Sequence, residues 1–300
     1  MGRRPNLFIV GAPKCGTTAL YEYLRRHPEV FMSERKEPCF LASDFESPEY
    51  PESEEEYLAL FAGADREKWV GEATTTYLLS QRAAAEIKRF SPEAKIIIML
   101  RRPSDLIHSL HSQRLLEGSE DIADLEEALA AEPDRRAGRR LPRGLIYPKE
   151  YLLYREFARF TPQVQRFFDA FGRGRVHVIF YDNFRADPAG QFKNVCDFLG
   201  VSREEPVGSG VVRPNTNVRN LAINRVLRRP PGLLRFLGRM VPARVRRWLT
   251  ARVDSLNWVV EARPPMSPRL RRDLDREFAP EIEALSAQLG RDLSDWTAGV

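Results

Sequence analysis

Cysteine and histidine are both scarce in this chain: its 300 residues hold three cysteines and four histidines. Cys15, Cys39 and Cys196 are odd in number and widely spaced, which argues against a disulfide framework and against a Cys-x-x-Cys metal site. A run of eighteen apolar residues is missing, so no spanning helix is expected. A secretory leader pattern is missing as well. Phe8-Ile9-Val10 is too short for the apolar core of a leader and runs straight into a glycine-bearing loop. A soluble cytoplasmic protein is the expectation. Charge of one sign is not in large excess: 47 basic residues face 42 acidic ones, a net +5 that is too mild to imply a nucleic-acid partner. A hydrophobic content of 43% is enough for a sizeable core.

What is present starts near the N-terminus. Leu7 to Val10 reads as a buried strand, Gly11 to Gly16 as a tight loop, and the following residues as a helix with Leu20, Tyr23 and Leu24 on its apolar face. A short strand-to-helix loop aims backbone N–H groups at one point, which makes an anion site. Gly11 and Gly16 keep the spacing of a Walker loop, Gly-x-x-x-x-Gly-Lys-Ser/Thr, but Thr17 stands where the lysine belongs and Lys14 lies inside the loop. Cys15 within the loop is either a thiol activated by the local positive field or a small residue filling a turn, and the second reading is the simpler.

The clearest buried strand is Ala94 to Leu100, continuously apolar as a parallel sheet covered on both faces requires. A Walker-type nucleotidase would end such a strand in an aspartate that holds magnesium. This one ends in Arg101-Arg102, with Pro103 opening a helix and Ser109 eight residues beyond Arg101. An arginine can take a phosphate bidentately and a serine hydroxyl adds a neutral donor, so Arg101 and Ser109 form a candidate second anion site. A nucleoside or small-molecule kinase, the alternative reading, lacks both its lysine and its acid.

The remaining elements alternate. A short strand is expected near Val30-Phe31 and another at Lys68 to Glu72; Val176 to Tyr181 reads as a buried strand. Helices are expected from Ser53 (with Glu56 completing a capping box), over Ala83 to Phe90, Asp124 to Ala131, Tyr151 to Phe160, Pro162 to Phe171 with Thr161 as its cap, and Pro188 to Leu199 closed by Gly200. Residues 208–218 read as loop. Ser267-Pro268 opens one C-terminal helix and Pro280 a second that ends at Gly290. The pattern predicts an α/β fold: a P-loop-like, mainly parallel central sheet with helices on both faces and a helical C-terminal portion. It forms one domain over residues 1–300, with a basic helical insertion at 221–262 near the acceptor side. Within it, 221–249 is amphipathic and arginine-rich. It can lie against a membrane surface or cover an acceptor site, and helices packed on the core are the blander reading.

Pro13-Lys14-Cys15-Gly16-Thr17-Thr18 resembles the 5′-phosphosulfate loop, Pro-Lys-x-Gly-Thr-Thr/Ser, of sulfotransferases that use 3′-phosphoadenosine 5′-phosphosulfate (PAPS). Arg101, Pro103 and Ser109 are similar to that family's 3′-phosphate pattern, although Leu106 stands where a basic residue is common. Lys36-Glu37-Pro38-Cys39-Phe40 and Gly71-Glu72-Ala73-Thr74 resemble segments of the carbohydrate and heparan branch, and Pro265-Met266-Ser267-Pro268 the C-terminal helices of bacterial members. Ala73 replaces a lysine of some members. The resemblance implies that PAPS is the donor and adenosine 3′,5′-bisphosphate the product. Cys15, Gly16, Thr17 and Thr18 would cradle the 5′-phosphate with Lys14, and Lys14 would meet charge developing at the bridging oxygen, with no metal required. It implies Glu37 as the base toward a hydroxyl or amine acceptor on a glycan, lipid or small metabolite. His108 and His111 are alternative bases, Lys36 a contact to the acceptor or sulfate, and Glu72 a residue that orients the acceptor or stabilises the fold. A non-catalytic nucleotide-binding or membrane-surface module is a third reading.

Overall fold

The computed structural model describes residues 3–203 and 264–297, together with the backbone of two short strands, Asn217–Val218 and Trp258–Val259. The basic segment 221–249, and most of the insertion expected at 221–262, lie outside the described residues. The chain divides into two compact units. One comprises Met1–Ile107, Arg155–Val212 and Arg272–Val300; the other comprises His108–Tyr154 and Arg213–Arg271.

The first unit is built on a five-stranded parallel sheet. Its strands are β1 (Leu7–Gly11), β2 (Val30–Met32), β3 (Trp69–Ala73), β4 (Lys95–Leu100) and β5 (Val176–Phe180), in the spatial order β2-β3-β1-β4-β5. All five residues of β1 are buried, as are the last five of β4. Side chains of a strand alternate between faces, so consecutive burial means that both faces are covered. Fully burying side chains such as Leu7, Phe8 and Ile9 stabilises the sheet by about 1.5–3 kcal/mol each. The sheet order reverses direction at β1, and ligands of open α/β sheets bind beyond the carboxyl ends of the strands at such a switch point.

The helices of the described residues are, in chain order, α1 (Thr17–Arg25), α2 (Glu54–Ala59), α3 (Ala83–Phe90), α4 (Pro103–Leu116), α5 (Leu125–Ala130), α6 (Glu132–Arg136), α7 (Tyr154–Phe157), α8 (Phe160–Phe171), α9 (Tyr181–Ala186), α10 (Pro188–Leu199) and α11 (Pro268–Leu289), with α5 and α6 in the second unit. Helix α1 packs on β1, β2 and β3, and α8 on β4 and β5. Ser53 caps α2 by accepting the Glu56 amide at 3.1 Å, and the returning Glu56 carboxylate takes the amide of Glu52 rather than that of the cap.

The structure departs from the sequence reading at three helices. The expected helix over 151–160 is broken into a 3-10 turn, Lys149–Leu152, and the short α7. Helix α8 starts at Phe160, before Pro162, and Thr161 is not its cap. The Thr161 amide is met from outside, by the Glu281 carboxylate at 2.6 Å. The two expected C-terminal helices are one, because α11 runs through Pro280. Leu274, Phe278, Ile282 and Leu285 lie buried along it on one continuous stripe across the proline. Burial on both sides of Pro280 outweighs the roughly 3 kcal/mol that an interior proline costs.

In the second unit, Glu120 and Arg135 form a fully buried ion pair at 2.6 Å, with the Tyr154 hydroxyl donating to Glu120 at 2.6 Å. The stretch expected as loop over 208–218 ends in a strand, β6 (Asn217–Val218), antiparallel to β7 (Trp258–Val259). No helix among the described residues is long and apolar enough to cross a membrane.

Candidate active site

Three neighbouring strands, β3, β1 and β4, end at the same edge of the sheet, and each leads into residues singled out by sequence. From β1 the chain enters the loop Gly11 to Gly16. The loop is pinned to the adjacent strand by the Ala12 amide, which donates to the Met99 carbonyl at 2.7 Å. Gly16 caps α1 with φ +90° and has no side chain to offer. A Cβ there would stand 3.3 Å from both Tyr181 and Phe184. A Cβ on Gly11 would come within 2.6 Å of Leu78, so Gly11 is required by space as well as by backbone angle, and Gly16 chiefly by its backbone angle. With a glycine cap, the first-turn amides of α1 at Thr17 and Thr18 are left to a ligand. Lys14 itself lies in the left-handed region at φ 64°, an unfavourable angle for a residue with a side chain.

Arg101 leaves the end of β4 and closes on this loop. Its Nη1 donates to the Lys14 carbonyl at 3.3 Å, and its guanidinium lies over the Tyr181 ring at 4.6 Å. Its Nε is buried with no hydrogen-bond partner. A buried, unpaired donor on a cation beside a phosphate-type loop fits a doubly anionic nucleotide, because an unmet donor of this kind is costly. Neighbouring Arg102 turns away. It grips buried Asp275 of α11 through two bonds of 3.2 and 2.6 Å, and Ser104 adds a third at 2.7 Å, which fixes the corner from which Arg101 projects. Ser109 is buried two turns along α4, on the part of that helix belonging to the second unit.

The Cys15 thiol is fully buried, and burial pushes it up to about 12 although Arg101 and Lys14 pull it down. It is a neutral turn residue, not an activated nucleophile.

Beyond β3 the chemistry changes sign. The Glu37 carboxylate accepts the Thr75 amide at 2.7 Å and the Thr75 hydroxyl at 3.1 Å, and pairs with Lys36 Nζ at 2.5 Å. Its own amide donates to the Ala73 carbonyl at 2.9 Å. Glu37 therefore sits partly exposed at the end of the strand beside β1. Glu72, inside β3, is wholly buried and takes three hydroxyls: Tyr57 at 2.6 Å, Tyr77 at 2.9 Å and Thr74 at 2.6 Å. Burial pushes its carboxyl up to about 7 against the pull of those donors.

The histidines are placed otherwise. His111 is buried, its Nε2 lies 2.9 Å from the Ile122 carbonyl, and its ring meets Tyr154 edge-on; burial lowers its pKa. With His108 it lines a cavity of about 500 Å³ inside the second unit. Sequence reasoning missed Thr75 as the anchor of Glu37, Tyr181 as the platform under Arg101, and Asp275 as the holder of Arg102. The first signal is unreadable at a separation of 38 residues. Tyr181 carried a weak one, since it directly follows the last buried strand of the sheet, which ends at Phe180 rather than at the expected Tyr181.

A glycine-capped phosphate loop at the switch point of a parallel sheet, flanked by an arginine instead of a metal-binding acid, defines an α/β protein that binds a phosphorylated group. The chain belongs to the sulfotransferase domain family, whose model matches residues 4–217. Its structure is similar to that of a sulfotransferase from Alicyclobacillus acidocaldarius, at 29% identity and a TM-score of 0.74, over 98% of this chain and 99% of that one. In sequence it is 25% identical over 209 residues to the human bifunctional heparan sulfate N-deacetylase/N-sulfotransferase 2, covering 67% of this chain and 22% of that protein. It is 27% identical over 199 residues to the mouse heparan sulfate glucosamine 3-O-sulfotransferase 3B1, covering 66% of this chain and 47% of that protein. The chain thus spans between a fifth and a half of these relatives' lengths. Family membership carries the reaction class, sulfuryl transfer by an enzyme, and does not favour the kinase reading.

Proposed function

We propose that this chain transfers the sulfuryl group of PAPS to a hydroxyl or amine acceptor, its two units acting as one sulfotransferase domain. The observation that carries the reading is the pairing of the Gly11–Thr18 loop with Arg101 at the end of the adjacent strand, where the guanidinium keeps a buried Nε without a partner. PAPS supplies an activated sulfuryl group joined to a 5′-phosphate. The Gly16, Thr17 and Thr18 amides and the threonine hydroxyls would hold that phosphate, with Cys15 shaping the turn. Arg101 would take the 3′-phosphate, and Ser109 joins that assignment through its sequence spacing.

Lys14 is assigned the cation that offsets negative charge on the bridging oxygen as its bond to sulfur breaks. Loop and cations supply the positive charge, so no metal is assigned. Glu37 is assigned the general base. It takes the acceptor's proton as the acceptor oxygen or nitrogen bonds to sulfur, and adenosine 3′,5′-bisphosphate departs. Thr75 holds the carboxylate at the edge of the site, and Lys36 pairs with it. A glycan acceptor is the class suggested by the names of the heparan sulfate relatives; a lipid or small metabolite stays within the same chemistry. Cytoplasmic location, and contact with a membrane surface through 221–249, belong to the same proposal.

Transfer of radiolabelled sulfate from PAPS to a panel of desulfated heparan chains, glycolipids and simple phenols tests this. Glu37→Gln is expected to lower turnover by about 100-fold or more, in the range of general-base catalysis, with the affinity for adenosine 3′,5′-bisphosphate unchanged. Retained turnover would remove Glu37 from the mechanism.

A further inference from the structure

Glu72 lies inside β3, one residue before the Ala73 carbonyl that ties Glu37, and has no access to solvent. Its position matters because of what its three hydroxyl partners do next. The Thr74 hydroxyl gives its hydrogen to Glu72 and accepts the Cys39 amide at 3.2 Å. The Tyr77 hydroxyl likewise gives its hydrogen to Glu72 and accepts the Leu41 amide at 3.0 Å. Each hydroxyl is oriented by the carboxylate, so that its lone pairs face a backbone N–H of the loop carrying Glu37. A hydroxyl has one hydrogen to give, and when Glu72 is ionised its carboxylate, which then only accepts, decides where it goes.

That loop needs holding. Glu37 and Cys39 both have φ near +60°, at 59° and 57°, in the left-handed region that side chains disfavour. Such a conformation persists only where surrounding bonds over-determine it. Here the bonds are the Glu37 amide to Ala73, the Cys39 amide to Thr74 and the Leu41 amide to Tyr77, with Thr75 gripping the carboxylate itself. Two of the three backbone ties run through hydroxyls that Glu72 orients. Tyr57, the third partner, comes from α2 and stacks on Phe40 with ring centroids 4.5 Å apart, so the same carboxylate also steadies the loop's aromatic residue.

We propose that Glu72 is a positioning residue for sulfuryl transfer, which through Thr74 and Tyr77 holds the 37–41 loop in the strained conformation that presents the Glu37 carboxylate to the acceptor. The proposal rests on the reading of Glu37 as the base. It separates Glu72 from the donor site: the phosphate loop has its own tie to Met99 and its own glycines. Loss of the carboxylate therefore slows the reaction without loosening the nucleotide.

The test is a cycle of Glu72→Gln, Glu37→Gln and the double variant, measured for sulfate transfer from PAPS to the best acceptor of the panel and for binding of adenosine 3′,5′-bisphosphate. Glutamine keeps the shape but offers one accepting oxygen to three hydroxyls. Glu72→Gln is expected to lower kcat about tenfold with nucleotide affinity within twofold of the unaltered chain. In the Glu37→Gln background it is expected to lower kcat no further, because it acts through Glu37. Unchanged kcat in Glu72→Gln, or a loss that multiplies fully with that of Glu37→Gln, would overturn the proposal. Full turnover in Glu37→Gln alone would instead overturn the base assignment on which it stands. Should Glu72→Gln fail to fold, Tyr77→Phe removes only the hydroxyl that holds Leu41. Faster amide exchange over residues 39–42, with exchange over 8–20 unchanged, is its expected result, and exchange over 39–42 as slow as in the unaltered chain would overturn the proposal.

Discussion

The two sides of the candidate site are built in opposite ways. On the β1 and β4 side the charges are positive, the hydrogen-bond donors are backbone amides, and the parts come from two short stretches of sequence. On the β3 side two carboxylates stand at the centre, side-chain hydroxyls join backbone amides among the donors, and the parts come from stretches up to 38 residues apart. The first side suits a ligand that brings its own negative charge. The second suits an acceptor that must lose a proton. The division follows from which strand end each segment reaches, with β1 at the centre and β3, where the 37–41 loop docks, and β4 on either side of it.

If the donor side works through positive charge at the breaking bond, its largest effect lies at Lys14. Lys14→Ala is expected to depress turnover by 10²–10³-fold, the scale of removing one preorganised stabilising group, with the thermal unfolding midpoint nearly unchanged. Turnover within tenfold of the unaltered chain would blur the contrast, since nothing else on that side is assigned to the leaving oxygen.

The acid side should show itself in stability. Burial raises Glu72 to about 7 in the folded state, whereas an unfolded glutamate titrates near about 4.3. A group raised in this way contributes stability that is fully present below the unfolded value and lost as pH rises through the folded one. Between pH 5 and pH 8 the chain is expected to lose about 2–3 kcal/mol of unfolding free energy on this account, and Glu72→Gln to lose that slope. Denaturant titrations at the two pH values measure it. A slope as steep in Glu72→Gln would place the sensitivity elsewhere.

The smallest effect sharpens the role of geometry on the donor side. Arg101→Lys keeps the charge but not the planar fork, and about tenfold weaker binding of adenosine 3′,5′-bisphosphate is expected by calorimetry. Equal binding would mean that Arg101 acts there as charge alone.

The same contrast explains what could be read from sequence. The phosphate loop was legible because its function needs neighbouring residues: two glycines at fixed spacing, a lysine between them and a helix start. The sheet was legible in its buried strands, since residues 96–100 of β4 have no face left to be polar. Arg101 was legible as an exception, a cation where an acid is expected. Glu37 was legible only by resemblance, because nothing in Lys36-Glu37-Pro38 distinguishes a base from a solvated charge. Its anchor Thr75, and the hydroxyl cluster around Glu72, depend on strand pairing that brings residues 37–41 against residues 72–77. Pro280 misled for a related reason: local propensity argued for a break, and burial on both sides of it kept α11 whole.

The central claim is that this edge of the sheet is made for a nucleotide bearing phosphate at two ends and held without a metal. Titrating the full chain with adenosine 3′,5′-bisphosphate, in parallel with ATP and magnesium, tests it directly. The account predicts saturable binding of the bisphosphate in the presence of a chelator, with weaker or undetectable binding of ATP and magnesium. Binding of ATP and magnesium with no response to the bisphosphate would contradict it.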